Sequence, residues 1–99
     1  MKKWYNEDYS FKITVIDGQA NDCRNGHEIG DEYTCEYNCP DGFCSKSMLK
    51  LFLLLEAVRS GGDLSNLLAG ASKHCGDFIC PDGVVKFRLK AIKKTEVNL

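Results

Sequence analysis

The stretch K-S-M-L-K-L-F-L-L-L-E-A-V-R-S, residues 46–60, predicts the long helix on which the fold of this chain depends. It consists mostly of good helix formers, Ser45 or Ser47 can cap its start, and Gly61-Gly62 ends it. Apolar side chains occupy nearly its whole circumference, so we expect the helix to be buried on most sides. It would then pack between the sheet and another element, or against a second copy of the chain.

Strand patterns precede and follow this helix. Residues 10–17 and residues 84–92 alternate apolar and polar side chains, which is typical of a strand with one face in water. Residues 32–37 are rich in strand-forming side chains, and residues 75–80 are placed to form a hairpin with the last strand. These four segments predict a small, mainly antiparallel sheet.

The predicted fold class is α+β. The sheet is expected to have four or five strands that could close into a barrel, with two helices inserted between its second and third strands. The second helix is shorter, with Asp63 as its cap and its end at about Leu68. A chain of 99 residues has room for a single core, so we expect one domain over residues 1–99 with its core in residues 10–93. Homodimerisation through the long helix is a further expectation.

Composition and charge exclude several function classes. Thirteen basic and fourteen acidic residues give a net charge of −1, which provides no general attraction to nucleic acid or to an anionic membrane. The N-terminal residues lack the apolar run of a signal peptide, and the apolar residues 48–58 fall short of the roughly 20 that span a bilayer. We therefore expect a cytoplasmic protein with no nucleic-acid partner and no membrane partner.

The charges are unevenly distributed along the chain. Residues 17–41 carry seven acidic side chains and one arginine, whereas residues 84–94 carry five basic side chains and no acidic one. We interpret this as charge pairing across neighbouring strands, or as lysines that protect an exposed sheet edge. A nucleic-acid-binding stripe would also require exposed aromatic side chains and a net basic domain.

Cysteine is the most informative residue type, and its six positions are Cys23, Cys35, Cys39, Cys44, Cys75 and Cys80. In a reducing cytoplasm, disulfides are rare, and metal ligation or buried thiols are expected instead. The motif C-P-D-G occurs at residues 39–42 and again at residues 80–83, and each copy is typical of a tight turn. The two copies could also be two halves of one site.

Two cysteine pairs share one spacing, Cys39-x4-Cys44 and Cys75-x4-Cys80. Two pairs of thiolates, each on a turn, are a common way to build a tetrahedral metal centre, although a spacing of four is at the long end of the usual range. Cys23-x3-His27 adds a further thiolate and an imidazole, which zinc also accepts. The sequence does not select one set of four ligands from these candidates.

Cys44 has a separate physical argument, because it comes immediately before the predicted helix cap. Free backbone N–H groups and the helix dipole favour a thiolate at that position, which makes the sulfur a better ligand and a better nucleophile. Cys35 instead lies within a predicted strand and is expected to be a small apolar filler. No phosphate-binding glycine loop, G-x-S-x-G or H-E-x-x-H motif is present, so an autonomous enzyme is not indicated.

Several short motifs follow one another along the chain: Cys23-x3-His27, Gly26-His27-x2-Gly30-Asp31, Gly42-x-Cys44, Gly61-Gly62-Asp63, and Cys80-x-Asp82 followed by Val85-x-Phe87. In this order they resemble a family of short uncharacterised prokaryotic proteins that is common in anaerobes. The resemblance covers about residues 11–92. The family has no established activity.

The resemblance implies which thiols matter. Those within the family's motifs are Cys23, Cys44 and Cys80, and the residues beside them are His27, Asp31 and Asp82. Cys39 and Cys75 lie outside the motifs, which argues against a site made of the two spaced pairs. The chain also departs from the family after Gly62-Asp63, where Leu64-Ser65-Asn66 stands in place of an aromatic residue and a proline.

The sequence therefore predicts a cytoplasmic accessory or binding protein that holds a metal, with zinc before an iron–sulfur cluster. The predicted ligands are Cys23, His27, Cys44 and Cys80. Two alternatives stay open. One is a thiol redox or nucleophilic protein centred on Cys44, and the other is a structural interaction module whose thiols have no chemical role.

Overall fold

The computed structural model describes residues 9–23, 25–36 and 38–93. Its strands and helix are β1 (Tyr9–Gly18), β2 (Glu32–Cys35), α1 (Met48–Arg59), β3 (Cys75–Ile79) and β4 (Val85–Lys93). Two short 3₁₀ turns, Ala20–Asp22 and Leu64–Asn66, follow β1 and α1 respectively. The α+β class and all four predicted strand regions are confirmed.

The four strands form one antiparallel sheet in the order β2-β1-β4-β3. The two long strands β1 and β4 lie at the centre, and their register shifts between Val15 and Asp17 at a β-bulge. Side chains on β1 and β4 alternate between buried and more exposed positions, as the sequence pattern predicts. The predicted hairpin between residues 75–80 and the last strand is β3 paired with β4.

The suggestion of a barrel is wrong, because the sheet is open. Strands β2 and β3 occupy its two opposite edges, and no strand pairing joins them within the described ranges. Four strands are too few to close around a filled interior, since even the small OB barrel uses five. The sheet is instead covered on one face.

The hydrophobic core lies between α1 and that covered face of the sheet. Its fully buried side chains come from the inward positions of the central strands, from one side of α1 and from the second 3₁₀ turn: Phe11, Ile13, Val15, Leu51, Leu55, Leu64, Phe87 and Leu89. Burial of each large apolar side chain contributes roughly 1.5–3 kcal/mol relative to leaving it exposed. The core therefore fixes the position of α1 relative to β1 and β4.

Helix α1 begins two residues later than predicted and ends where the glycines predict. Gly61 has φ +84° and donates its N–H to the Val58 carbonyl, while Gly62 donates to the Ala57 carbonyl at 2.7 Å. These two hydrogen bonds form a Schellman motif, which satisfies the last carbonyls of the helix. Ser47 precedes the helix but makes no side-chain capping hydrogen bond.

The prediction that α1 is buried on most sides is wrong. Leu49 and Leu53 are 70% and 65% exposed, because the helix packs on the sheet with one side only. The helix is apolar nearly all round because the side that faces away from the sheet is also apolar. Within the described residues, no second layer of structure covers that side. Homodimerisation through this helix stays a prediction.

The predicted second helix is also corrected, since only the 3₁₀ turn Leu64–Asn66 is present there. Asp63 does cap it, as predicted: its carboxylate accepts hydrogen bonds from the Ser65 backbone N–H at 2.9 Å and from the Ser65 hydroxyl at 2.6 Å. After this 3₁₀ turn, the next regular element of the chain is β3. Short 3₁₀ segments of this kind are common connectors.

Charged side chains pair across neighbouring strands on the open face of the sheet. Lys12 on β1 contacts Glu32 on β2 at 3.0 Å, and Arg88 on β4 contacts Asp77 on β3 at 2.8 Å. The predicted cross-strand pairing is thus present, but the acidic strand β2 pairs with β1 and is separated from the basic strand β4.

Replacing Asp77 by asparagine is expected to lower the free energy of unfolding by at most about 1 kcal/mol at neutral pH, since this ion pair is exposed. Hydrogen bonding from Arg88 lowers the pKa of Asp77 below its ordinary value of 3.8. The stabilisation is therefore present above that pH and is lost as the pH falls below it. Urea unfolding at neutral and at acidic pH measures the difference in free energy of unfolding between the wild type and Asp77→Asn. If that difference were the same in acid, the Asp77–Arg88 ion pair would not be its cause.

Some predictions lie outside the described residues. These are the polar N-terminal residues 1–8, the last position of the second predicted strand at residue 37, and the basic residue at position 94. Within the ranges that the structure covers, no helix combines the length and apolarity needed to cross a bilayer.

Candidate functional site

Three separate segments enclose a cavity of about 250 Å³. They are the loop between β1 and β2, the residues just before α1, and the turn between β3 and β4. All four residues predicted as metal ligands line this cavity, namely Cys23, His27, Cys44 and Cys80. The sequence therefore identified residues that the fold brings to one place.

Cys44 lies at the start of the first turn that leads into α1. Its carbonyl accepts a hydrogen bond from the Met48 N–H at 3.0 Å, so its sulfur is close to the free N–H groups of this turn. Partial burial opposes ionisation of the thiol, but the backbone N–H groups of Ser47 and Lys46, together with the nearby Ser47 hydroxyl, outweigh it and lower the pKa of Cys44. The structure thus favours a Cys44 thiolate in the cavity.

Ser47 is a buried polar residue on the cavity wall. Its side chain is fully buried, and its hydroxyl makes no well-aligned hydrogen bond within the described chain. It is nevertheless close enough to Cys44 to favour the charged form of the sulfur. A buried hydroxyl without a partner is destabilising, so ionisation of Cys44, or a polar ligand in the cavity, would supply the acceptor that it lacks.

The second C-P-D-G motif places Cys80 in the β3–β4 turn that lines the cavity. Gly83 has φ +76° and donates its N–H to the Cys80 carbonyl at 2.8 Å, which closes a tight turn. The Cys80 sulfur accepts hydrogen bonds from the backbone N–H groups of Val84 and Val85 at 3.3 and 3.4 Å. This largely buried sulfur therefore has a fixed orientation.

The first C-P-D-G motif forms a different turn. There the hydrogen bond runs from the Phe43 N–H to the Pro40 carbonyl at 3.1 Å, one residue further along the motif. Cys39 is exposed and does not line the cavity. The two motifs are thus not symmetric halves of one site. The cavity thiol near the first motif is Cys44, which lies two residues after it, whereas the cavity thiol of the second motif is Cys80, its first residue.

An ion pair joins the two cysteine-bearing segments. Lys46, two residues after Cys44, contacts the carboxylate of Asp82, two residues after Cys80, at 2.5 Å. The negative charge of Asp82 also acts on the Cys44 thiol, where it raises the pKa and so reduces the net lowering. The start of α1 and the β3–β4 turn are therefore close neighbours at the cavity.

His27 connects the loop before β2 to the start of α1. Its Nε2 accepts a hydrogen bond from the Cys44 backbone N–H at 3.2 Å and lies 3.3 Å from the Asn25 amide nitrogen. The proton of the neutral ring must then be on Nδ1, which lies 2.7 Å from the Tyr33 hydroxyl oxygen. Burial lowers the pKa of His27, although Asp31 acts in the opposite direction, and this favours the neutral ring that the hydrogen bond from Cys44 requires.

These contacts limit how the four predicted ligands can bind a metal. The lone pair on Nε2 of His27 already accepts a hydrogen bond from the Cys44 N–H, so a metal could bind Nε2 only after that hydrogen bond was broken. In the described residues, no three His, Cys, Asp or Glu side chains are arranged to hold one ion. Metal binding would therefore require the side chains that line the cavity to rearrange.

The remaining cysteines lie elsewhere. Cys35 is buried in the core, and burial, followed by the nearby Cys39 and Glu36, raises its pKa to about 11, which agrees with its predicted role as a filler. Cys75 is on the edge strand β3 and does not line the cavity. The structure therefore does not bring together the two pairs Cys39/Cys44 and Cys75/Cys80.

Sequence reasoning missed three polar residues of the site. They are Lys46, which lies in the predicted helix, Tyr33, which lies in the second predicted strand, and Asn25. Their roles depend on contacts between segments far apart in the chain, such as Asn25 with the Gly42 carbonyl at 2.8 Å. Only the Cys44-x-x-Ser47 spacing, one helical turn, carried a local signal.

No match to this chain was found among protein-family models, curated proteins or solved structures. The resemblance to short proteins of anaerobic prokaryotes stays a prediction. The cavity and its residues are therefore interpreted from their own geometry.

Proposed function

We propose that this protein acts through a reactive thiol, with Cys44 as the nucleophile and the cavity as its binding site. The observation that carries this proposal is the group of donors around Cys44, which lower its pKa although the sulfur is partly buried. A thiolate is the reactive form of cysteine, and the start of a helix is a common place to stabilise one. The neutral His27 supports this arrangement by holding the Cys44 backbone.

Thiol chemistry at Cys44 is thus placed before metal binding, which is the reverse of the order that the sequence predicts. Metal binding would use the cavity only after its side chains rearrange, whereas the activation of Cys44 requires no rearrangement. Cys44 is also partly exposed, so a small electrophile can reach it. Reaction at this sulfur is the function that the geometry supports best.

Site-resolved alkylation tests the proposal. At neutral pH and limiting iodoacetamide, Cys44 is expected to react about tenfold faster than Cys39, which is more exposed but lacks the same donors. Mass spectrometry of peptides measures each site, and Cys39→Ser is the matched control that should leave the Cys44 rate unchanged. A Cys44 rate no greater than that of Cys39 would remove the proposal.

Metal binding is the second candidate, because three thiols from three segments line one cavity. Thiolates are suitable ligands for zinc and for iron–sulfur clusters, and Cys23, Cys44 and Cys80 would supply three of them with His27 as the predicted fourth ligand. Metal analysis of anaerobically purified protein tests this candidate. Less than about a tenth of an equivalent per chain, with no gain on reconstitution with zinc or with iron and sulfide, would exclude it.

A further inference from the structure

A second cavity lies between α1 and the edge strand β3, and it shares no lining residue with the cavity that holds the cysteines. Its volume is about 450 Å³, which is within the range of small-molecule binding sites. We call it the α1–β3 groove. Its apolar side chains come from α1, from the segment after the second 3₁₀ turn begins and from β3: Leu53, Leu54, Leu67, Leu68, Phe78 and Ile79.

Much of the apolar surface of this groove is left in water. Leu53 is 65% exposed, Leu67 is 56% exposed and Ile79 is 47% exposed. Leu54 and Phe78 are buried, so the groove continues from this exposed surface down to the core. Exposed apolar surface that three segments gather around one cavity is typical of a binding site. An apolar ligand chain would contact all three segments there.

Two lysines lie at the Ile79 end of the groove. The Lys50 ammonium group donates a hydrogen bond to the Ile79 carbonyl at 3.0 Å, and Lys86 is the cross-strand neighbour of Ile79 in the pairing of β3 with β4. An ammonium group has further donors, so Lys50 can also bind a ligand. Lys86 makes no ion pair with any residue that the structure describes.

The acidic side chain that lines the groove does not cancel these two charges. It is Asp77, and both of its carboxylate oxygens accept hydrogen bonds from Arg88, at 2.8 and 3.2 Å. Among the described residues, no other acidic side chain lines the groove. Lys50 and Lys86 therefore leave this end with a net positive charge, which is complementary to an anion.

The apolar lining extends away from the two lysines. Leu68 lies beside Gly76, because a Cβ at Gly76 would be 2.8 Å from the Leu68 Cδ1. Gly76 and Ile79 are three residues apart on β3, which corresponds to about 10 Å along the strand. The groove is thus polarised, with cations at one end and leucines along its length.

The edge of β3 does not favour a peptide strand as the occupant. The Cys80 N–H pairs with β4, and backbone groups alternate in direction along an antiparallel strand, so the carbonyls of Cys75 and Ile79 point outward. The Ser72 N–H already binds the first carbonyl at 2.9 Å, and Lys50 binds the second. Strand addition requires a run of free edge groups, and these two carbonyls are occupied.

We propose that the α1–β3 groove binds a free medium-chain carboxylate, a fatty acid of about ten carbons that matches the length of the groove. Its carboxylate lies between Lys50 and Lys86, and its acyl chain follows Leu53, Leu67 and Leu68. This site is separate from the Cys44 cavity, so its test does not depend on the reactivity of Cys44.

Calorimetric titration of the full chain with decanoate, decanol and decyltrimethylammonium tests the proposal, each amphiphile being kept at concentrations where it is monomeric. Decanoate is expected to bind with one molecule per chain and about fivefold more tightly than decanol, since exposed ion pairs contribute modestly. Decyltrimethylammonium should bind more weakly still. Octanoate should bind about tenfold more weakly than decanoate, because each buried methylene raises the affinity about threefold to fourfold.

Lysine variants test the cationic end. The double variant Lys50→Gln/Lys86→Gln is expected to bind decanoate about fivefold to tenfold more weakly and to bind decanol as the wild type does. Lys90→Gln is the matched control, because Lys90 is an exposed lysine on the same strand as Lys86 and does not line the groove. It should leave both affinities unchanged.

A leucine pair tests the apolar part. Leu67→Ser is expected to weaken both decanoate and decanol about fivefold. Leu49→Ser is the matched control, because Leu49 is an exposed leucine that does not line the groove, and it should leave both affinities unchanged. Since both positions are exposed, neither variant should prevent folding, which circular dichroism verifies.

Three results would overturn the proposal. Equal affinity for decanoate and decanol would show that the lysines do not bind a carboxylate. Decanoate binding that Leu67→Ser leaves unchanged would place the site outside the groove. Binding to phosphatidylglycerol vesicles without binding to monomeric decanoate would show that this surface contacts a membrane instead of a free fatty acid.

Discussion

Replacing Phe87 by alanine is expected to lower the free energy of unfolding by about 3–5 kcal/mol, the usual cost of truncating a buried phenylalanine. Phe87 is fully buried on the central strand β4. Its ring centroid lies 5.2 Å from that of Phe78, 5.1 Å from that of Phe43 and 5.5 Å from that of His27. The variant loses these contacts and leaves a void beside the cavity, which Phe87 also lines.

Urea unfolding measured by circular dichroism tests this result. Leu49→Ala is the matched control, because Leu49 is 70% exposed on the open side of α1 and its truncation should change stability by no more than about 0.5 kcal/mol. A loss below about 1 kcal/mol for Phe87→Ala would mean that the aromatic cluster does not form the centre of this core.

Gly18→Ala is expected to destabilise the protein by about 2–6 kcal/mol, as the sum of backbone strain and overpacking. Gly18 has φ +131°, a conformation that other residues rarely adopt. A Cβ at this position would overlap the Val84 carbonyl oxygen and lie 2.7 Å from the Val85 Cα. Since both are backbone atoms, the strand pairing between β1 and β4 must shift to make room.

The displaced backbone is the same one that holds the Cys80 sulfur. The variant is therefore expected to change the reactivity of Cys80 towards alkylating agents as well as the stability of the fold. Gly70→Ala is the control: Gly70 has φ +75°, and a Cβ there meets no atom of the described chain within 4 Å. It should cost only about 1–2 kcal/mol of local strain. Equal losses in the two variants would show that the close approach at Gly18 is unimportant.

The sheet could be predicted from the sequence because the alternation of apolar and polar side chains within a strand shows which face of that strand is buried. Phe11, Ile13 and Val15 alternate with polar residues, and the same pattern on β4 identifies Phe87 and Leu89 as inward. The end of α1 could be predicted for a similar reason, because the two glycines that form its Schellman motif are adjacent to the helix in sequence. These features depend on neighbours a few residues away.

The exposure of α1 could not be predicted in the same way. Apolar residues around a helix indicate burial, but the sequence does not state how many layers surround the helix. Leu49 and Leu53 are exposed because the sheet covers one side and the next segment forms a 3₁₀ turn instead of a second helix. That outcome depends on tertiary packing.

The four predicted ligands line one cavity, and their role as metal ligands stays a prediction. The ligand chemistry of Cys23, His27, Cys44 and Cys80 selected four residues that do line one cavity. The hydrogen bond that makes His27 a support for Cys44 joins residues 17 positions apart, and the Lys46–Asp82 contact joins residues 36 positions apart. No spacing rule encodes contacts at those separations, so the sequence could not distinguish a metal ligand from a supporting residue.

The pH dependence of alkylation at Cys44 tests the central claim most directly. The reaction rate follows the thiolate fraction, so a lowered pKa makes the rate reach its plateau at a lower pH than for an ordinary thiol. We predict a midpoint below the ordinary thiol value of 9.0 for Cys44, and a higher midpoint in Ser47→Ala, which lacks the nearby hydroxyl. A Cys44 midpoint at or above 9.0 would contradict the account.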